Sequence, residues 1–165
     1  MTGPNAFLCT TCQQTYPLST REWRCSCGGL FDLQTWPALD PSRIDASQCG
    51  LWRYQDFLPL EAGWEPVTLG EERTPLLPVE WEGIPVSFKL ESQCPTGSFK
   101  DRGASILVTA LRGLGRERLV DDSSGNAGAS LAASTARAGI ACEICVPSSS
   151  AGPKLAQTDA YGAEI

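Results

Sequence analysis

Along the second half of the chain the hydrophobic spacing switches repeatedly between a strand-like and a helix-like period. Residues 85–91, "PVSFKLE", read as a strand. In "SFKDRGASILVTALRGLG", 98–115, Leu107, Ala110, Leu111 and Leu114 follow the i, i+3, i+4, i+7 rule, which predicts a helix ended by its glycines. "RLVDD", 118–122, is a short strand. "NAGASLAASTARAG", 126–139, predicts a second helix with Ala129, Ala132, Ala133 and Ala136 on one face, small enough for close packing against a sheet. "ACEICVP", 141–147, is a strand stopped by proline. A third helix begins in "GPKLAQTDAYGA", 152–163, where Pro153 suits the first turn.

Strands alternating with helices imply an α/β fold with a parallel sheet and right-handed crossovers. Ligands in such sheets bind beyond the carboxyl ends of the strands. The loops expected there are "SQCPTGS" and "DSSGN". Each stands just before a helix N-terminus, where free amides and the helix dipole favour anions.

The first half is patterned differently. Residues 1–36 hold "CTTC" at 9–12 and "CSC" at 25–27. Residues 37–78 are rich in proline and tryptophan with only short candidate helices, and read as a connecting arm packed on a larger body. The expected division is therefore a cysteine-bearing segment (1–36), the arm (37–78) and an α/β domain (79–165).

Composition narrows the function. Hydrophobic residues make up 42% of the 165 and charged residues 19%, a globular balance. A net charge of −6 without any basic run argues against nucleic acid and anionic membranes as partners. Neither a transmembrane-length apolar stretch nor a signal peptide is seen, so a cytoplasmic protein is expected. The eight cysteines then read as thiols or metal ligands. With no histidine in the chain, Ser-His-Asp and Cys-His catalysis are excluded, and any chemistry needs another base.

The cysteines at 9–27 have metal-ligand spacing. Cys9 and Cys12, with Cys25 and Cys27 about a dozen residues on, suit one tetrahedral Zn²⁺ bound by four thiolates, which is a closed structural site. The alternative is four reduced, metal-free cysteines. Cys142 and Cys145 also spell CxxC, but residues three apart on a strand face opposite ways, so both are expected in the core. Cys94 is expected as a spacer in the first loop.

Lys100 has two readings. It is a solvated first-turn lysine paired with Asp101, or a reactive amine whose neutral form is favoured by burial and a positioned neighbour. The string around it, "PTGSFKDRG" (95–103), resembles the cofactor-lysine motif of the fold type II, tryptophan-synthase-β-like pyridoxal-phosphate enzymes, most closely the threonine synthase version. "DSSGNAGAS" (122–130) resembles that family's next motif, and the opening "CTTC…WRCSCGGLFDL" is similar to the N-terminal segment of many threonine-synthase-like proteins.

The resemblance implies that Lys100 holds pyridoxal 5'-phosphate and moves protons. It implies that Asn126 bonds the ring hydroxyl, and that Ser123, Ser124, Gly125 and Ala127 hold a substrate carboxylate. The implied reaction converts O-phospho-L-homoserine and water to L-threonine and phosphate; cysteate synthase and ammonia-lyase chemistry share the scaffold. A noncatalytic zinc-ribbon adaptor is the reading from another class. Family members continue much further, with a glycine-rich phosphate loop and a Ser or Thr partner for the ring nitrogen. The chain is accordingly expected to be an N-terminal part with weak cofactor binding by itself, forming a homodimer when full-length or joining a C-terminal companion chain.

Overall fold

The computed structural model describes residues 6–35, 38–71, 73–150 and 152–165. Three short antiparallel strands come first: β1 (Ala6–Cys9), β2 (Thr15–Pro17) and β3 (Phe31–Leu33), in the order β2-β1-β3. Phe7 stacks on Phe31 with ring centroids 5.7 Å apart, and Tyr16 packs on Phe31 at 4.7 Å. Two 3₁₀-helical segments follow, Pro41–Arg43 and Gly50–Phe57, the second kinked at Tyr54 and burying Trp52 and Phe57.

Strands β4 (Leu76–Trp81) and β5 (Ile84–Lys89) form an antiparallel hairpin in register from Leu76↔Lys89 to Trp81↔Ile84. Its tight turn is Glu82-Gly83, both at positive φ (49° and 78°), which matches the twist of the flanking strands. The strand expected near 85–91 therefore exists, but it lies outside the parallel sheet. That sheet is carried by β6 (Arg118–Asp121) and β7 (Ala141–Ile144), paired from Arg118↔Ala141 to Asp121↔Ile144. Glu164 forms an isolated parallel bridge to Glu143 on the other side of β7.

Helix α1 spans Lys100–Gly113, α2 spans Asn126–Ala138 and α3 spans Gly152–Ala160. Their positions agree with the sequence pattern, while their buried faces differ from it. In α1 the inward residues are Asp101, Ala104, Ser105, Val108 and Thr109, and Leu107 is 44% exposed. The polar members of that face have specific work. Ser105 Oγ donates to the Val67 carbonyl at 2.6 Å, and Thr109 Oγ1 accepts from the Val67 amide at 2.8 Å. Both backbone groups of one buried arm residue are thus satisfied by α1, as burial requires.

Helix α2 is buried continuously from Gly128 to Thr135, whereas Ala136 is exposed. It is the central element. On one side Leu131 joins Val67, Ala104, Val108 and Ile140; on the other Ala132 joins Ile144 and Ala163. Alanines and serines all round let neighbours approach on every face.

Candidate functional site

The first loop turns sharply between Cys94 and Gly97, whose amide donates to the Cys94 carbonyl at 2.7 Å. Cys94 is buried, and burial pushes its thiol up. Ser98 Oγ then accepts from the Lys100 amide at 3.3 Å, and α1 begins. Adjacent residues of the first turn point opposite ways. Lys100 is exposed, its Nζ 5.0 Å from the centre of the exposed Phe99 ring. Asp101 is fully buried. The alternative, solvated reading pairs Lys100 with Asp101; among the described residues the two form no ion pair. The described residues also leave Lys100 without the burial expected of a reactive amine.

Asp101 is the hub of the site. Its Oδ2 accepts from the Thr96 amide at 2.7 Å, and its Oδ1 accepts from the hydroxyls of Thr96 and Ser130 at 2.5 Å each. The two hydroxyl oxygens are 3.1 Å apart. Gln157 Nε2 donates to the Thr96 carbonyl at 2.8 Å, so α3 is tied to the same point. A buried carboxylate without a cation is costly unless its lone pairs are filled. Here three donors fill them, and the α1 N-terminus adds its dipole. Thr96, Ser130 and Gln157 were not singled out in the sequence, and Asp101 entered only as a partner for Lys100; the only local signal was an acid in the first turn of a helix.

The hub brings the second loop beside the first. Ser130 lies one turn along α2 from Asn126, and Asp101 follows Lys100, so the α1 and α2 starts share one end of the helix pair. Asn126 is the first residue of α2 and exposed; Ser123, Ser124, Gly125 and Ala127 are half-buried around it. The Ser123 amide donates to Asp121 Oδ2 at 3.1 Å. Among the described residues no side chain caps the start of α2, which leaves its first-turn amides to an incoming anion. Gly128 makes this loop possible: a Cβ there would sit 2.2 Å from the Ser123 carbonyl oxygen, far inside contact distance.

A charged cluster on the neighbouring surface ties the hairpin to α1. Arg102 donates from Nε to Glu91 Oε2 at 2.7 Å and from Nη2 to Oε1 at 3.0 Å. Lys89 Nζ stands 3.2 Å from Glu91 Oε1, and Thr74 Oγ1 donates to the same carboxylate. The Arg102 guanidinium, then the Thr74 hydroxyl, hold the Glu91 carboxyl well below the usual range.

At the other end of the chain, the sulfurs of Cys9, Cys12, Cys25 and Cys27 all lie within 4.8 Å of one another. Cys9–Cys27 and Cys12–Cys25 are 3.6 and 3.5 Å apart. A tetrahedron with metal–sulfur bonds of about 2.3 Å has edges of about 3.8 Å, so the four could hold one ion with little movement. The Tyr16 hydroxyl donates to Cys25 Sγ at 3.2 Å, and with the Cys27 amide brings that thiol down to about 6. Amides of Cys12 and Thr11 lower Cys9 likewise. For Cys12 the Gln14 amide, which favours the thiolate, is outweighed by bonds to the Cys25 and Cys27 sulfurs, and the thiol is pushed up to about 12. Gly29 is packed under the cluster: a Cβ would lie 2.6 Å from Cys9 Sγ and from Thr11 Oγ1. The remaining CxxC behaves differently from expectation in one member. Cys142 is half-buried, but Cys145 is exposed because β7 has already ended at Ile144.

The family profile described as "Pyridoxal-phosphate dependent enzyme" matches residues 67–165. The threonine synthase of Methanocaldococcus jannaschii is 35% identical over 168 aligned positions, covering 95% of this chain and 42% of that protein. That match takes in the cysteine segment. The threonine synthase of Mycobacterium leprae is 44% identical over 117 positions, 68% of this chain and 32% of its own length. The chain thus spans less than half the length of these curated relatives. Among solved structures, a pyridoxal 5'-phosphate-dependent aspartate racemase superposes with a TM-score of 0.52 at 34% identity, over 56% of this chain and 32% of the racemase. Maize serine racemase gives 0.53 at 31% identity, over 57% and 30%.

Proposed function

The chain belongs to the pyridoxal-phosphate-dependent enzymes, in the fold type II group, and on that premise we propose that it supplies the N-terminal part of a threonine synthase. The proposed reaction takes O-phospho-L-homoserine and water to L-threonine and phosphate. The observation that carries this reading is the Asp101 hub, which sets the Lys100 and Asn126 loops at one end of the α1–α2 pair.

The residues present fit the cofactor. Lys100 and Asn126 each open a helix with an exposed side chain, and the uncapped start of α2 faces outward as an anion cradle. Pyridoxal phosphate held by Lys100 supplies an electron sink for negative charge on the substrate carbons. The Asn126 amide donates to the ring hydroxyl oxygen. Ser123 and Ser124 hydroxyls, with the Gly125 and Ala127 amides, hold the substrate carboxylate. The Lys100 amine moves protons at the α, β and γ carbons as phosphate departs and water adds at the β carbon. Because Asp101 is locked inward, the lysine beside it is directed outward from a fixed helix turn. Cys9, Cys12, Cys25 and Cys27 hold a structural Zn²⁺ in this reading, since four thiolates leave no position open for substrate. The same reading makes the protein a cytoplasmic enzyme acting as a homodimer or with a companion chain, with neither membrane nor nucleic acid as partner. Its acidic charge supports the last point, and no described helix is long and apolar enough to cross a membrane.

The test is chemical. The protein is incubated with pyridoxal phosphate and reduced with borohydride, which makes a lysine–pyridoxyl bond permanent. One adduct on the peptide holding Lys100 is expected; adducts scattered over other lysines would sink the assignment. Phosphate release from O-phospho-L-homoserine by the full-length protein then separates this substrate from others of the family.

A further inference from the structure

The four sulfurs of the cysteine segment fall into two matched pairs. Cys9 Sγ lies 3.6 Å from Cys27 Sγ, and Cys12 Sγ lies 3.5 Å from Cys25 Sγ. Each pair joins a buried cysteine to an exposed one: Cys9 and Cys25 are inside, Cys27 and Cys12 outside. Each pair also crosses between the knuckles, over sequence separations of 18 and 13. A structural metal site requires four sulfurs at tetrahedral spacing, and nothing in that requirement matches buried sulfurs with exposed ones.

An oxidisable dithiol does require it. A thiol meets an oxidant only where solvent reaches it, and it avoids over-oxidation only when a second thiol stands ready to resolve it. Here each exposed sulfur has a buried sulfur beside it. A disulfide holds its sulfurs about 2.05 Å apart, so each pair closes by about 1.5 Å, a movement shared between two side chains.

We propose that these cysteines are a site of oxidative modification by hydroperoxides, closing into Cys9–Cys27 and Cys12–Cys25 disulfides. The exposed thiolate, Cys12 or Cys27, attacks one peroxide oxygen. An S–O bond forms, the O–O bond breaks, and the second oxygen leaves and is protonated to water or an alcohol. The buried thiol beside it then gives up its proton and attacks the same sulfur. An S–S bond forms, and hydroxide leaves with that proton as water. Each disulfide passes two electrons to one peroxide, so two peroxides oxidise the whole site.

Four cysteines allow three connectivities. Cys9–Cys12 with Cys25–Cys27 joins near neighbours in sequence, but its second bond closes over the single residue Ser26 and is strained. Cys9–Cys25 with Cys12–Cys27 joins the two buried sulfurs, neither of which meets the oxidant. Only the proposed connectivity gives both bonds one member that is attacked and one that resolves. It also fastens the two knuckles to each other, so the short-stranded segment keeps its fold once its thiolates are lost to a metal. Release of metal rests on the zinc reading above, whereas the pairing rests on the sulfurs alone.

The experiment uses the whole chain as purified under reducing conditions. Its zinc content is measured, and it is then treated with hydrogen peroxide in rising amounts. Remaining thiols are alkylated, the bonds are assigned by partial reduction and peptide mass, and freed zinc is followed with a coloured chelator. Expected are the loss of four alkylatable thiols, both cross-knuckle bonds, about one zinc freed per chain, and recovery of the thiols with dithiothreitol. Hydrogen-exchange protection between Ala6 and Leu33 should survive oxidation. Absence of either bond overturns the proposal, as does conversion of these cysteines to sulfinic or sulfonic acids. So does their survival as thiols at peroxide levels that oxidise the exposed Cys145. Both bonds in a chain that held no zinc would sink the zinc reading alone; zinc loss without them would sink this proposal alone.

Discussion

The cysteine segment and the α1–α2 region organise their functional groups in opposite ways. Between Ala6 and Leu33 the fully buried residues include Cys9 and Cys25 themselves, and the strands are three or four residues long. Chemistry is the core there. In the helical region two apolar clusters around α2 form the core, and they hold a buried polar hub that in turn aims exposed groups outward. Chemistry is carried by the core. The first region resembles small domains that need a metal to fold, and the second a conventional packed domain. The cysteine segment is tied to the arm by Ser19 N–H to Glu61 Oε1 at 3.0 Å, and to the turn after α1 by Arg116 Nη2 to the Arg21 carbonyl at 2.9 Å. These ties fit a ribbon seated on the body better than a free adaptor.

The strongest way to break the comparison is to challenge the proposed zinc of the four cysteines with a chelator. Chelation should abolish hydrogen-exchange protection across residues 6–35 while leaving α1 and α2 protected. Simultaneous loss of protection in both would show that the regions are one folding unit. Next comes Asp101→Ala, which orphans three buried donors at roughly 1–3 kcal/mol each and should cost about 3–5 kcal/mol in chemical denaturation. The cysteine segment should keep its hydrogen-exchange protection in that variant.

A smaller effect is expected from Gly128→Ala. The Ser123 carbonyl must move away from the new Cβ, costing about 2 kcal/mol or more and weakening pyridoxal phosphate binding more than melting temperature implies. Fluorescence titration with the cofactor checks this, and unchanged affinity would remove the second loop from the site.

The pH dependence is milder. Glu91 has a folded-state pKa depressed below its usual 4.5, so its contribution is fully present above that value. It is lost as pH falls below about 4.5 towards the folded value. The pair is partly exposed, so the contribution is about 1 kcal/mol at most. Arg102→Gln should flatten this part of the stability–pH curve while leaving the ribbon's response alone. Least of all, Cys145→Ser should change neither metal content nor stability by more than about 0.5 kcal/mol, because the thiol is exposed.

Much of the architecture was legible because it rests on local rules. The starts of α1 and α2, strands β6 and β7, and the beginning of α3 follow periodicity and turn residues within a few positions of each other. Strand β4 was hidden by Pro78, which reads as arm rather than strand, and its Glu82-Gly83 turn lacks the usual Asn or Asp. The inward face of α1 was misread because leucines dominate its periodicity. Asp101, Ser105 and Thr109 face inward instead, each satisfied by a partner far along the chain. Cys145 was placed in the core on the assumption that the strand ran to Pro147.

What the order of residues determined alone was therefore everything set by near neighbours: the helix starts, the βαβ unit, the CxxC and CxC knuckles, and the two motifs that carry the family. What only the tertiary structure decided was which way those groups face. The bonds responsible join Thr96 to Ser130, Thr96 to Gln157 and Val67 to Ser105, across 34, 61 and 38 residues. A polar side chain says that it needs a partner, but not which one. Burial settles the choice, because only the packed fold determines which donors lose their water together and must pair with one another.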